Sequence, residues 1–380
     1  MSSPFIIATI MRTQGETGVQ AYFNMFSDYL CSEDIENCIV TPFMNPKWLV
    51  LPTFGMRKVI DPFNKDLSIW WYRYWHYLLL KQALKKKLSA LDSEDVIIFA
   101  QCPLSAKAAL EIRAIETQKV IMTVHFNISQ ADEWVGKRQI SCDSWLYHQI
   151  KNLESEIIPK VDKLIYSSDF MKGVIETNIP GSTLIESSVL PSFVKHPNSS
   201  IQLATQGDLI SIGTLEPRKN HRYLLFALAE AKRKDRCYSL TLVGDGSERK
   251  NLETLARSLD IYSQVTFAGF QPNAASLLPY HRAYVHSASL DNRPIAVLEA
   301  LAYSLPVVAA PTGGISECFT DGVEGFYWSL SDPTMGADRL IQLLENPELY
   351  ASMSKAAKEK FDTTFSHDAI AHKLIHLLTA

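Results

Sequence analysis

Short apolar runs alternate with stretches of helical periodicity along the whole chain, and few architectures accept such a sequence. Continuous apolar runs suit strands buried on both faces, and intervening helical stretches supply the cover. The first half offers strands over residues 5–10, 96–100, 120–124 and 163–166. The second offers strands over 208–212, 239–243, 265–267, 283–286 and 307–309. Helical periodicity lies between them, for example over 223–232 and 248–259. This order predicts an α/β chain with parallel sheets. No short fixed repeat appears, which argues against a solenoid.

A length of 380 residues suggests two domains of ordinary size. The boundary falls around 187–206, where Pro191, Pro197, Asn198, Ser199 and Ser200 interrupt the periodicity. Ligands of parallel sheets bind beyond the carboxyl ends of the strands, so two facing sheets would enclose the site in a cleft. A hydrophobic content of 47% supports substantial cores. A net charge of −4 argues against a dedicated nucleic-acid binder. The six cysteines are scattered without a C-x-x-C pair, which removes zinc-ribbon and thioredoxin-like readings and suits a reduced, cytoplasmic setting. The N-terminus, Met1-Ser2-Ser3-Pro4 and an apolar run ending before Arg12, lacks a secretory signal's basic start. No apolar run is long enough to span a bilayer.

Residues 209–326 carry the most chemistry. Strand 209–212 runs into Gly213-Thr214-Leu215-Glu216-Pro217-Arg218-Lys219-Asn220 and then a helix. Cations at a strand-to-helix turn suit an anion, since the helix start adds positive partial charge, although an ordinary solvated loop has the same composition. Asp291 and Glu299 follow, eight residues apart, around Asn292-Arg293-Pro294-Ile295. Pro294 suits a first helical turn, which puts Asp291 in a loop and Glu299 within an apolar helix. A carboxylate there needs hydrogen-bond donors, from a ligand's hydroxyls or from the protein itself. Gly313-Gly314 lies between a strand and a helix, where backbone amides can approach a ligand or simply form a tight turn. Gly244-Asp245-Gly246 is a turn, because Arg249 occupies the third glycine position of a dinucleotide fingerprint.

In order and spacing these segments resemble the donor domain of retaining GT-B glycosyltransferases of family 4. The resemblance runs through Gly213–Lys219, Asp291–Glu299 and Gly313–Glu317, over more than 100 residues. Three positions depart from the family pattern. Asp291 replaces the usual Glu, Asn292-Arg293-Pro294 replaces Gly-Phe-Gly, and Thr214 stands where arginine is common. The resemblance implies two Rossmann-like domains across a cleft. The acceptor side would span 1–188 and the donor side 189–364, with a helix over about 365–380 packing back onto the first domain. The loop Arg12-Thr13-Gln14-Gly15-Glu16-Thr17-Gly18 resembles the family's glycine-rich loop, so Gly15 and Gly18 would face a phosphate or the acceptor. His125 follows strand 120–124 where the family places a functional histidine. Asp132 and Glu133 are weaker candidates for acceptor contacts.

The resemblance assigns roles as follows. Arg218 and Lys219 stabilise the departing nucleoside diphosphate, Glu299 accepts from the ribose hydroxyls, and Asp291 with the backbone of Asn292, Arg293, Pro294 and Ile295 holds the sugar. Gly213, Gly313 and Gly314 line the same donor site, and His125 contacts the transferred sugar or positions the acceptor. No Asp-x-Asp occurs, which fits a mechanism without metal or cofactor in which the nucleotide sugar is a co-substrate. The implied reaction moves a hexose to a glycan or lipid-linked acceptor of a cell-surface polysaccharide. GDP-mannose is the favoured donor, with a UDP-sugar next. Alternatives are a nucleotide-sugar 2-epimerase of the same fold and an inactive nucleotide-sugar-binding subunit. The aromatic and basic segment 69–87 fits either a helix at the inner membrane surface or one packed in the first core.

Overall fold

A computed structural model describes residues 3–15, 18–91, 94–197 and 205–379. Met1, Ser2, Glu16, Thr17, Asn198, Ser199 and Ser200, named above, lie outside the described residues. The chain forms two compact units, Met1–Leu190 with Ala371–Ala380, and Pro191–Ile370.

The first unit holds a parallel sheet of β1 (Phe5–Ala8), β2 (Asn37–Val40), β3 (Val96–Ala100), β4 (Gln118–Val124), β5 (Lys163–Tyr166) and β6 (Glu186–Val189). Their order is β2-β1-β3-β4-β5-β6. Ile6 pairs with Ile98, and both face a helical layer that includes Leu80, Leu84 and Ala109. Phe5 and Phe99, on alternate positions, meet Phe26 of helix Gly18–Ser32. This alternation buries both faces and accounts for the continuous apolar runs.

The second unit repeats the plan with β7 (Gly207–Ile212), β8 (Leu240–Val243), β9 (Val265–Gly269), β10 (His281–His286), β11 (Val307–Ala309) and β12 (Gly325–Tyr327). Their order is β12-β11-β10-β7-β8-β9. Leu209 packs among Leu225, Leu228 and Leu340, whereas Ile210 faces Leu298, Leu301 and Phe361 on the other side. Every pairing in both sheets is parallel.

Three strands had no signal in the sequence: β2, β6 and β12. All lie at sheet edges, where one neighbour is missing and an apolar run is not required. β6 reads Glu-Ser-Ser-Val and occupies the first residues of the expected linker, so the first sheet extends into that polar stretch.

The aromatic segment 69–87 lies in helix Lys65–Leu88, whose N-cap Asn64 accepts from the Leu67 amide at 2.9 Å. Ile69, Arg73, His76, Leu79, Leu80, Ala83 and Leu84 are buried within the first unit, while Tyr74 is exposed. Helix His367–Thr379 returns the chain to the first unit, where Lys163 Nζ donates to the Leu377 carbonyl at 2.8 Å.

Candidate active site

The second unit assembles its polar cluster at the carboxyl ends of β7, β10 and β11. The sheet ends at Ile212, and the 3-10 turn Pro217–Lys219 with Asn220 in the left-handed region (φ 50°) redirects the chain into helix His221–Arg233. Leu215, fully buried, anchors this loop, and its amide donates to the Asp245 carbonyl at 3.0 Å. The Gly244-Asp245-Gly246 turn therefore braces the motif loop.

A second loop, after β10, is stitched to the first. Ser289 donates from its amide and its hydroxyl to the Arg218 carbonyl, at 2.9 and 3.1 Å. Ser287 Oγ donates to the Lys219 carbonyl at 2.9 Å. These bonds bring the two loops' charges together. Lys219 Nζ donates to Asp291 Oδ2 at 2.5 Å, and Arg218 Nη1 lies 3.4 Å from Asp291 Oδ1. Arg218 also donates to the Leu290 carbonyl at 2.8 Å and to Glu216 Oε1 at 3.0 Å. His286 Nε2 stands 3.4 Å from Asp291 Oδ2.

Burial acts to raise the Asp291 carboxyl, but Lys219, His286 and Arg218 outweigh it and hold the group well below the usual carboxylate range. Burial lowers His286 and pushes His221 down to about 3, so both imidazoles are neutral at pH 7. Two cations thus face two carboxylates, Asp291 and Glu216, with little solvent between them. An incoming diphosphate would find fixed N–H donors and exchange one set of anionic partners for another.

The third loop, after β11, grips Asp291 from behind. Gly313 has φ 61°, and a Cβ there would fall 2.3 Å from the Asp291 carbonyl oxygen. The amide of Gly314 donates to that oxygen at 2.9 Å. Arg293 turns its guanidinium inward, 2.5 Å from Glu317 Oε2 and above the Phe365 ring, so its side chain fastens the loop. Asn292 is buried beside it. Pro294 is the N-cap of helix Ile295–Ala302 and makes no side-chain cap, which leaves the first-turn amides to other acceptors.

Glu299 lies on that helix. Burial pushes its carboxyl up to about 7, and no hydrogen bond or ion pair reaches it among the described residues. A carboxylate in this condition is suited to a ligand that brings hydroxyl donors. Gly213 follows β7, and Lys219 Cε would lie 3.8 Å from a Cβ placed on it.

Arg218, Lys219, Asp291, Asn292, Arg293, Gly313 and Gly314 thus meet in one cluster, to which the structure adds His286, Glu216, Ser287 and Ser289. Their signal was present but quiet: Glu216 is inside the motif, and the other three bracket the loop at the end of β10.

The first unit holds the remaining candidates. Gly15 (φ 156°) leaves room for Gln20, whose Nε2 donates to the carbonyls of Arg12 and Gln14 at 2.8 and 3.1 Å. Gly18 begins helix Gly18–Ser32. His125 follows β4, 3.1 Å from Gln101 Oε1 and edge-on to Tyr22, and burial lowers it to about 4. It therefore offers a hydrogen bond rather than a charge. Asp132 is engaged by Ser129, Tyr147 and Lys151, and Glu133 accepts from Asn127.

Residues 196–360 match the family described as Glycosyl transferases group 1. The matched segment lies within the second unit, Pro191–Ile370. Over 131 residues the chain is 34% identical to the N-acetyl-alpha-D-glucosaminyl L-malate synthase of Bacillus anthracis, covering 34% of each protein. It is 30% identical to the lipopolysaccharide core biosynthesis glycosyltransferase LpsE of Rhizobium meliloti over 172 residues, 45% of this chain and 49% of that one. The chain thus spans between a third and a half of these curated relatives. The crystal structure of Anabaena HepE with UDP and glucose superposes with a TM-score of 0.67 at 17% identity, covering both chains completely. The fold is GT-B, and the segment similar to the group 1 family lies in its second half.

Proposed function

We propose that the chain is a retaining, metal-independent glycosyltransferase that moves a hexose from a nucleotide-diphosphate sugar to a glycan or lipid-linked acceptor in surface-polysaccharide synthesis. The observation that carries this reading is the Arg218–Lys219–Asp291 cluster beside the unpartnered Glu299, within the group 1 domain. Arg218 and Lys219 neutralise the diphosphate as the bond from the sugar's C1 to the phosphate oxygen breaks. The bond from C1 to the acceptor oxygen forms on the same face. The acceptor's proton passes to the leaving phosphate oxygen, which keeps the electron pair, so the anomeric configuration is retained. Glu299 accepts from the ribose hydroxyls, and Asp291 with the nearby amides orients the sugar.

HepE was crystallised with UDP and glucose, which favours a UDP-sugar over GDP-mannose as the first donor to try. LpsE acts in lipopolysaccharide core biosynthesis, which supports a surface-glycan context.

A lipid-surface contact belongs to the same reading. Exposed Trp48, Leu51, Met56, Val59 and Phe63 recur along one side of helix Lys47–Ile60 and the turn after it. Residues 41–60 contain no Asp or Glu and carry Lys47, Arg57 and Lys58. That composition suits a helix lying on an anionic bilayer. The contact we propose is therefore centred before the aromatic segment 69–87. No helix among the described residues is long and apolar enough to cross a membrane.

The test is a melting series with UDP, GDP and their hexose derivatives, followed by transfer assays with the stabilising donor. A nucleotide that binds only the native state raises Tm by mass action, and Lys219→Ala or Glu299→Ala should abolish both the rise and the transfer. EDTA should leave turnover intact. A wild-type Tm unmoved by every nucleotide refutes the reading. Donor converted to its 2-epimer without acceptor would favour the epimerase instead.

A further inference from the structure

Both cations of the polar cluster in the second unit are already answered by carboxylates. Lys219 Nζ donates to Asp291 Oδ2, and Arg218 Nη1 lies 3.4 Å from Asp291 Oδ1. Arg218 Nη2 donates to a second acid, Glu216, at 3.0 Å. The Glu216 side chain is only 15% exposed and that of Arg218 25%, so solvent screens this pair in part.

The backbone keeps Glu216 where it is. Glu216 is the N-cap of the turn Pro217–Lys219 yet makes no side-chain cap, and its carboxylate turns to Arg218 instead. Its amide donates to the Thr214 carbonyl at 2.9 Å, and its own carbonyl accepts from the Lys219 amide at 3.1 Å. Leu215, fully buried, precedes it, and Pro217 with its fixed φ follows. A carboxylate thus remains beside the cations when a diphosphate arrives.

We infer that Glu216 makes this site discriminate between an esterified and a free diphosphate, favouring the intact nucleotide sugar and speeding release of the nucleoside diphosphate left after transfer. This role rests on the proposed function for the placing of the diphosphate on Arg218 and Lys219. The two cations and the two carboxylates cancel, so an additional negative charge on the ligand meets no surplus of positive charge. In the nucleotide sugar the terminal phosphoryl oxygen is esterified to C1 and cannot ionise. When the bond from C1 breaks, that oxygen keeps the electron pair and takes the acceptor's proton. In the free diphosphate this proton has a pKa of about 6 and passes to water at slightly alkaline pH. The product then carries one negative charge more than the donor did. Glu216 repels it and takes back Arg218. A Glu216 that only held Arg218 in position would act with the opposite sign, because its loss would weaken every diphosphate ligand.

Isothermal titration calorimetry on the full chain at slightly alkaline pH tests this, with UDP, GDP and the methyl ester of each on its terminal phosphate. Each ester lacks the second ionisation and carries no sugar, so the comparison isolates that charge. Glu216→Gln keeps the side chain's size and removes its charge. It should tighten the diphosphate about tenfold and the ester by about threefold or less, the scale of one partly screened charge pair. Glu216→Ala should shift the diphosphate-to-ester affinity ratio in the same direction. Asp338→Asn removes a carboxylate that pairs with Lys234 outside the cluster, and should leave the ratio unchanged. In transfer assays, inhibition by the product diphosphate should tighten in Glu216→Gln as its binding does. Far-UV circular dichroism and Tm of each variant check that it folds.

Nucleotide binding with the same ratio in wild type and Glu216→Gln overturns the role of Glu216 and leaves the proposed function standing. Weaker binding of both ligands by Glu216→Gln overturns it too, since Glu216 would then be supporting Arg218. An equal shift of the ratio in Asp338→Asn reduces the effect to net charge and overturns the local role. If neither nucleotide nor ester binds the wild type, the proposed function fails and this role fails with it.

Discussion

Gly313 and Gly322 make a useful pair at the residue scale because both adopt left-handed backbone, with φ of 61° and 78°. A Cβ on Gly322 would meet nothing within 4 Å, whereas one on Gly313 would strike the Asp291 carbonyl oxygen. Gly322→Ala should therefore cost only the backbone term, about 1 kcal/mol. Gly313→Ala adds displacement of the acid loop. It should lose a further 1 kcal/mol or more by roughly the scale of local strain, together with nucleotide binding. Urea titrations and the nucleotide melting series read the two effects. Equal costs with binding intact would show that the turn does not support Asp291. The pair Asp291 and Glu299 was legible from the sequence because a carboxylate inside an apolar helix stands out. Their partners were not, since Lys219 and Asp291 are 72 residues apart and only the sheet brings them together.

At the scale of elements, helix Lys47–Ile60 shows most clearly how solvent exposure decides a reading. Its outward row includes Trp48, 75% exposed, and Leu51, 67% exposed, while Val50 and Thr53 face inward. Trp48→Glu combined with Leu51→Glu should abolish flotation with vesicles containing anionic lipid and move Tm little, because surface changes typically cost under about 0.5 kcal/mol. Equal flotation of variant and wild type would remove the lipid contact from the proposed function. The buried helix Ile295–Ala302 behaves oppositely. Leu298 is fully buried there, so Leu298→Ala should cost roughly 2–5 kcal/mol and carry the Glu299 position with it. Strands in the middle of each sheet were readable as apolar runs. β2, β6 and β12 were not, because an edge strand follows its neighbour's hydrogen-bonding groups more than its own composition.

Two groups of buried ionisable side chains act against each other across the whole molecule. Burial lowers His76 and His125 to about 4 and His221 to about 3. Their stabilising share is complete above the unfolded histidine value of about 6.5 and is lost as pH falls below it. Burial raises Glu154 and Glu299 to about 7, so their share is complete below the unfolded glutamate value and is lost as pH rises from 4.5 towards 7. Burial lowers His281 and His286 as well, and together the histidines outweigh the two carboxyls up to about pH 6.5, above which the carboxyls increasingly govern the slope. Stability without ligand should therefore peak near pH 6.5, by about the linkage of these groups. Denaturant midpoints that rise steadily from pH 6 to 8 would contradict it. The terminal helix supplies a second test at this scale. Ala371, Leu374 and Leu378 are buried and belong to the first unit. Removing 371–380 should cost that unit about 3–6 kcal/mol from the two leucines, while the second unit should keep the nucleotide-dependent rise in Tm that the proposed function expects. Loss of that rise would tie the tail to the donor site.

Local periodicity and composition were enough to determine the α/β class, the two sheets, the motif loops and their order, because burial on both faces writes itself into each strand's own residues. The tertiary structure decided which loop holds which. Arg218 and Lys219 turn onto Asp291, Gly314 donates its amide behind that acid, and His76 is left with a buried nitrogen that no described residue partners. None of these follows from a neighbour in sequence. Each depends on distances between segments far apart in the chain, set by strand order and side-chain packing rather than by local propensity.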